Sequence, residues 1–284
     1  NNFSTIASAN LATYDPPSGL TVTTYYRRIT VATLNSIACQ SVPTNVLTVT
    51  VQSVPTAGSI GSDQTICNGG DPAAFTSTTD GTGDGVITYQ WQSSLNNSSW
   101  SNISSATSAT YDVPSGLTAT TYYRRVTVST LNGVACLSVA SNVITVTVQS
   151  VPTAGVIATA QTICNGGDPA LFTSTTNGTG SGVISYKWQS STDNSSFTDI
   201  AGETASTYNA PGGLTVTTYY RRITVSTLNG VACLSVPTTS IAVTVQTVPT
   251  AGVIATAQTI CYNGDPAAFT STTNGTGSGA ITYI

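Results

Sequence analysis

Histidine and methionine are absent from all 284 residues, and charge is scarce: seven Lys and Arg and 11 Asp and Glu, 6% of the chain, where soluble domains carry about 25%. Without imidazole there is no Ser-His-Asp or Cys-His pair and no His-ligated zinc or haem. The single lysine, Lys187, leaves little for Schiff-base or phosphate chemistry. The sequence therefore predicts a protein that is not an enzyme, with no catalytic residues, no cofactor and no metal site. A net charge of −4 offers no basic stripe to a nucleic acid. No run of eighteen apolar residues exists to predict a membrane-spanning helix, and Asn1-Asn2-Phe3-Ser4 lacks the basic flank and apolar core of a secretion signal. What is abundant is hydroxyl: 54 Thr and 35 Ser, nearly a third of the chain, beside 39% hydrophobic residues. This composition favours strands.

The chain repeats itself. Val54-Pro55-Thr56-Ala57-Gly58 returns at Val151-Pro152-Thr153-Ala154-Gly155 and at Val248-Pro249-Thr250-Ala251-Gly252, each step being 97 residues. Residues 54–150 and 151–247 are identical at 67 of 97 aligned positions. A unit this long can bury its own core, so whole domains in tandem are expected rather than a solenoid. The expected organisation is 1–53 as the C-terminal part of a repeat, 54–150 and 151–247 as complete repeats, and 248–284 as the N-terminal part of another. The broken ends are expected to be the edges of a window cut from a longer array. The alternative is a fibre subunit in which head and tail complement each other by strand exchange between chains.

Within 54–150 short alternating runs are separated by turn signals, and no apolar i, i+3, i+4 pattern is long enough for a helix. Expected strands are 58–66, 73–78, 86–94, 99–103, 109–113, 120–130 and 139–149. Seven strands in about a hundred residues predict an all-β chain of tandem immunoglobulin-like or fibronectin-type β-sandwiches. Ile87, Tyr89 and Trp91 share one face of their run, so Trp91, and Trp188 in the next copy, are expected core residues. The run Leu117-Thr118-Ala119-Thr120-Thr121-Tyr122-Tyr123 resembles a tyrosine corner, which makes Tyr123 the expected structural tyrosine, with Tyr26 and Tyr220 its equivalents and Tyr122 the close alternative. Tyr123 alternates out of phase with Val126 and Val128, and a bulge would reconcile them. Six of the seven basic residues belong to one motif, Tyr25-Tyr26-Arg27-Arg28 and its copies at 122–125 and 219–222. One arginine of each pair is expected across an aromatic face.

Cysteines stand at 39, 67, 136, 164, 233 and 261, with gaps alternating between 28 and 69. No Cys-x-x-Cys pair occurs, so disulfides formed in an oxidising compartment are favoured over zinc. Pairing within copies would join Cys67 to Cys136 and Cys164 to Cys233, leaving Cys39 and Cys261 with partners outside the chain. The alternative joins Cys67 to Cys233 of the following copy, because the first turn and last hairpin of a simple sandwich lie at opposite poles.

Other sites are weaker. The loop Asp80-Gly81-Thr82-Gly83-Asp84-Gly85 has the oxygen ligands and glycines that calcium takes, but its sister loops carry Asn177 and Ser181, then Asn274 and Ser278, and lose both carboxylates. Trp100 would suit a carbohydrate-binding face by stacking on a sugar, yet its equivalents are Phe197 and Phe3.

The runs Thr65-Ile66-Cys67-Asn68-Gly69-Gly70, Tyr89-Gln90-Trp91-Gln92-Ser93-Ser94, Ala109-Thr110-Tyr111, Thr121-Tyr122-Tyr123-Arg124-Arg125 and Asn142-Val143-Ile144-Thr145-Val146-Thr147-Val148 resemble the Ig-like repeats of giant Bacteroidota cell-surface proteins exported by the type IX secretion system, including SprB-like gliding-motility adhesins. The resemblance implies an extracellular, cell-surface filament whose partners are neighbouring repeats of the same chain, with self-assembly and a surface or glycan ligand as further possibilities. It brings no catalytic residue.

Overall fold

Alternating Thr, Val and Tyr favour extended chain, and the structure, a computed structural model describing residues 2–284, holds strands and turns without a helix among those residues. None of its elements is therefore a helix long and apolar enough to cross a membrane. The chain divides into two compact units. One comprises residues up to Ser62, Ala73–Val113 and Thr121–Thr145; the other comprises Asp63–Pro72, Pro114–Thr120 and Val146–Ile284.

The second unit contains the whole of copy 151–247. Its main sheet runs in the order Gln161–Cys164, Ile241–Gln246, Thr218–Leu228, Val183–Ser191, Thr198–Asp199, and Val231–Leu234 also pairs with Thr218–Leu228. All neighbours are antiparallel except Gln161–Cys164, which lies parallel to Ile241–Gln246. A small second sheet pairs Val156–Ile157 with Ser174–Thr176 and continues in a bridge from Phe172 to Tyr208. Ile157, Phe172, Trp188, Tyr208, Ala210, Tyr220 and Val243 fill the space between the sheets. The first unit carries the body of copy 54–150, where Val86–Ser94 pairs along its length with Thr121–Leu131, and Ser59–Ile60 pairs with Ser77–Thr79. Ile60, Phe75, Trp91, Val113 and Tyr123 are buried there. Within this unit Val86–Ser94 lies between Ser101–Asn102 and Thr121–Leu131, the same order as their counterparts. The chain is thus a tandem array of all-β, Ig-like sandwiches.

Several strands differ from expectation. The run 58–66 splits into Ser59–Ile60 and Gln64–Cys67, and 139–149 becomes two strands, Val134–Ala140 and Ile144–Gln149. The first of these returns directly from Asn132-Gly133, both at positive φ (50° and 79°), which is the two-residue turn that hairpins favour. The bulge also falls elsewhere. Thr121–Leu131 keeps unbroken register with Val86–Ser94 and shifts only against Val134–Ala140, between Val126 and Val128. At the irregular stretch hydroxyls replace ladder carbonyls: Arg125 N donates to Ser141 Oγ (3.0 Å) and Thr127 N to Ser138 Oγ (2.9 Å). Thr238 and Ser235 do the same for Arg222 and Thr224, and Thr44 and Ser41 for Arg28 and Thr30.

Consequently the long strand turns its polar side inward. Thr121, Tyr123, Arg125, Thr127 and Ser129 are buried, while Val126 and Val128 are half-buried. The cause lies in the glycine loop. A Cβ on Gly81 would collide with the side chain of Thr127, and one on Gly83 would come within 2.6 Å of Ser129. The loop packs its backbone on these small hydroxyl residues, and Ser129 Oγ accepts from Gly85 N at 3.0 Å. The Val-Pro-Thr-Ala-Gly segments are not free linkers either: Thr56 N donates to Thr82 O (2.9 Å), and Thr153 N and Thr250 N repeat the bond to Thr179 and Thr276.

In the head, Thr24–Tyr26 pairs with Leu47–Val49 and Val31–Leu34 with Ile37–Gln40. Tyr26 is half-buried, its ring 5.9 Å from that of Tyr14. In the tail, Val253–Ile254 pairs with Ser271–Thr273.

Candidate functional site

Alternation along the long strand sends one arginine of each pair inward and the other outward. Arg125 and Arg222 are fully buried. The Arg125 guanidinium lies 4.0 Å from the centroid of the Tyr89 ring and 5.7 Å from that of Trp91; Arg222 lies 4.1 Å from Tyr186 and 5.7 Å from Trp188. Arg125 Nη1 donates to Ser77 Oγ and to Ala109 O (2.6 Å), and Arg222 Nη1 to Ser174 Oγ and Ser206 O (2.7 Å). Burial lowers both guanidinium pKa values. Ring faces, hydroxyls and carbonyls thus compensate a buried cation. Arg125 Nε and Nη2 and Arg222 Nε have no hydrogen-bond partner among the described residues.

The predicted aromatic residues gather around these cations. Trp91 Nε1 donates to Ser108 O (2.9 Å) and Trp188 Nε1 to Ala205 O (3.0 Å). Tyr123 stands 5.1 Å from Phe75, and Tyr220 5.1 Å from Phe172. Burial pushes both phenols up to about 12. The outward arginines serve the surface: Arg124 Nε donates to Gln92 Oε1 (2.7 Å) and covers the Trp100 ring at 4.2 Å, and Arg221 covers Phe197 at 3.9 Å. One face of Trp100 is therefore occupied by a guanidinium rather than open to a sugar.

The second constellation sits where one copy passes into the next. Gln149, the last residue of Ile144–Gln149, is fully buried; its Nε2 donates to Val231 O (2.9 Å) and its Oε1 accepts from Ser226 Oγ (3.4 Å). Ser150 N donates to Ser181 Oγ (2.9 Å). The head joins copy 54–150 by the same contacts: Gln52 Nε2 to Val134 O (3.0 Å), Ser129 Oγ to Gln52 Oε1 (3.3 Å), and Ser53 N to Asp84 Oδ2 (2.6 Å). Thr247 N repeats the last bond to Ser278 Oγ (2.9 Å). Asp84, first weighed as a calcium ligand, is an acceptor that a serine hydroxyl replaces in the sister loops. The bond from Ser53 N lowers its pKa. Among the described residues no group of three or more His, Cys, Asp and Glu side chains gathers to hold a metal. Sequence reasoning missed the glutamines, although Gln52-Ser53, Gln149-Ser150 and Gln246-Thr247 stand before each Val-Pro.

A disulfide completes the junction. Cys67 bonds to Cys233 of the following copy, with Cα atoms 5.6 Å apart, so the expected pairs Cys67–Cys136 and Cys164–Cys233 do not form. Cys39, Cys136, Cys164 and Cys261 carry no bond among the described residues. Register explains the correction. Cys164 pairs with Gln246, three residues past the pairing of Val243 with Thr218, whereas Cys233 pairs with Ser226, eight residues further along the same strand. At about 3.3 Å per residue the two sulfurs of one copy stand more than about 30 Å apart, beyond any disulfide. The hairpin instead reaches back: Asn229 Nδ2 donates to Thr65 Oγ1 (3.0 Å), beside Cys67.

A family model described as "Domain of unknown function (DUF8696)" matches residues 1–53, 56–150 and 153–247. No curated protein matches the chain. Among solved structures, the chain is similar to three N-terminal domains of the highly immunogenic outer capsid protein of bacteriophage RB49, at 11% identity over 75% of each chain with a TM-score of 0.40. It is also similar to a titin fragment, at 14% identity over 79% of this chain and 88% of that one with a TM-score of 0.36. Domains of chicken CNTN1 are similar at 13% identity over 77% and 76%, with a TM-score of 0.32. Likeness at this level carries no argument about function.

Proposed function

Because the chain belongs to the family described as a domain of unknown function (DUF8696), a description that assigns no activity, we propose a function from its junctions: these are stalk repeats of an extracellular, cell-surface adhesin, serving surface attachment or gliding and catalysing nothing. The observation that carries this reading is the braced junction, in which a buried glutamine, a backbone bond to the next glycine loop and a disulfide hold consecutive copies together. A chain of globular modules that only needed to stay tethered would do so with a free linker. The disulfide supports an oxidising, extracellular setting, and the resemblance to Bacteroidota surface repeats supports the cell surface. Few charges and many hydroxyls suit a wettable spacer that holds an adhesive part away from the cell.

Antibodies raised against the 284-residue chain test the placement. They should label intact cells without permeabilisation and reduce attachment or gliding. Labelling that appears only after permeabilisation overturns the reading. Binding of the purified chain to a glycan array would move it to the carbohydrate-module class, and concentration-dependent filaments would move it to a fibre subunit.

A further inference from the structure

The bond between residues 67 and 233 closes a ring of backbone that contains the rest of copy 54–150 and most of copy 151–247. Tension between the chain ends must cross from Cys67 to Cys233 by one of two covalent routes: 166 residues of polypeptide, or one disulfide between Cα atoms 5.6 Å apart. The shorter route becomes taut first. We propose that the Cys67–Cys233 bond is a tension shunt, which takes residues 68–232 out of the force path so that the backbone they form cannot be drawn out when the chain is stretched. The inference deepens the stalk reading and rests on it for its biological purpose, but not for its mechanics.

Placement at the junction fits this role. Cys67 is paired in register with Gln149, where the polypeptide leaves the copy, and Gln149 bonds to Val231, two residues before Cys233. Two covalent connections therefore cross the junction side by side. The cysteine spacing makes the device periodic: the gaps of 28 and 69 residues recur along the chain. In any tandem run with this bond at every junction, the shortest covalent route through two copies uses 28 residues and one disulfide. Extended polypeptide covers at most about 3.3–3.6 Å per residue, so two copies stretch no further than about 100 Å. A strand of ten or so residues gives each folded copy a length of roughly 35–40 Å. Such an array is nearly inextensible, folded or not.

Single-molecule pulling of the 284-residue chain through tags at its two ends tests the proposal. Without reductant the trace should lengthen only through residues outside the ring, and no complete sandwich should release. With reductant, or in the Cys67→Ser/Cys233→Ser variant, the hidden 165 residues should appear as added events totalling roughly 500–600 Å. Cys136→Ser, whose sulfur is unbonded, should leave the unreduced trace unchanged. Release of whole copies before reduction overturns the proposal, as does hidden length divided into two loops of 68 residues, the mark of Cys67–Cys136 and Cys164–Cys233 pairing. Reduction of the natural chain gives the same readout without a variant. Loss of the shunt would leave an extensible stalk, whereas failed surface labelling would remove the stalk and leave the shunt intact.

Discussion

Copies 54–150 and 151–247 differ at 30 of 97 positions and keep the same sheet order, and several of the polar exchanges stand on the outer face. On the outer face Gln90, bonded to Trp91 O and Ile103 O, gives way to Lys187, which pairs with Asp199 at 3.0 Å. Asn96 Oδ1 accepts from Ser98 N and Ser99 N, and Asp193 Oδ1 takes the same role for Ser195 N and Ser196 N. Trp100 becomes Phe197 beneath the outward arginine. The inward arginine, its two ring faces and the glycines over Thr127 and Thr224 are the same in both. Amide and charge therefore interchange where water screens the difference, and no substitution occurs where a buried cation or a backbone approach must be matched.

The largest expected effect strikes both copies alike. Arg125→Ala and Arg222→Ala leave a large cavity and, respectively, two and three acceptors without their donor, each costing about 3–5 kcal/mol. Hydrogen exchange in Val86–Ser94 and Val183–Ser191 should report equal losses. Replacement by Met keeps most of the volume and buries no charge, so it should recover part of the loss, and more at Arg125, where two guanidinium nitrogens are unpartnered among the described residues against one in Arg222. A loss at one copy twice that at the other would break the equivalence. Next in size, Gly81→Ala and Gly178→Ala should each cost about 1–3 kcal/mol by forcing the loop off the sheet. Thr127→Ala in the Gly81→Ala background and Thr224→Ala in the Gly178→Ala background, which remove both clashing side-chain atoms, should restore part of it.

Much of this was legible from the residues and some was not, for a physical reason. The period, the all-β class and the strand carrying Trp91 follow from local pattern. The face chosen by Tyr-Tyr-Arg-Arg does not, because hydropathy alone would turn Val126 and Val128 inward. A glycine loop far upstream bears on the matter by packing its backbone on Thr127 and Ser129, where only small side chains fit. Disulfide connectivity was open for the same reason. It depends on which pole of a sandwich each cysteine occupies and on how far the hairpin reaches into the previous copy.

The junction gives a smaller, graded effect. Gln149 is fully buried and Gln52 is half-buried, although both make the same bonds. Gln149→Ala should cost about 1–2 kcal/mol, since Val231 O then loses its donor out of reach of water, and Gln52→Ala under about 1 kcal/mol. Protection of the amides in Val231–Leu234 and Val134–Ala140 measures each. Equal costs would mean that burial does not set the strength of the junction.

Acid should separate the copies most gently. Asp199 is held below its ordinary value of 3.8 by the hydrogen bond from Gln189 and then by Lys187, and Asp193 lies well below it through bonds from Ser191, Ser196 and Ser195. A carboxylate favoured in the folded state contributes stability above its unfolded pKa and loses it as pH falls through the depressed folded one. Copy 54–150 carries Asn102 and Asn96 at these positions, which do not titrate, and its own lowered carboxylate, Asp84, braces the contact with Ser53 instead. Between about pH 4 and pH 2, Val183–Ser191 should therefore lose hydrogen-exchange protection ahead of Val86–Ser94, after correction for intrinsic rates. Asp193→Asn/Asp199→Asn should bring the two copies together. Acid loss that stays unequal in that variant would mean that these two carboxylates do not set the difference between the copies.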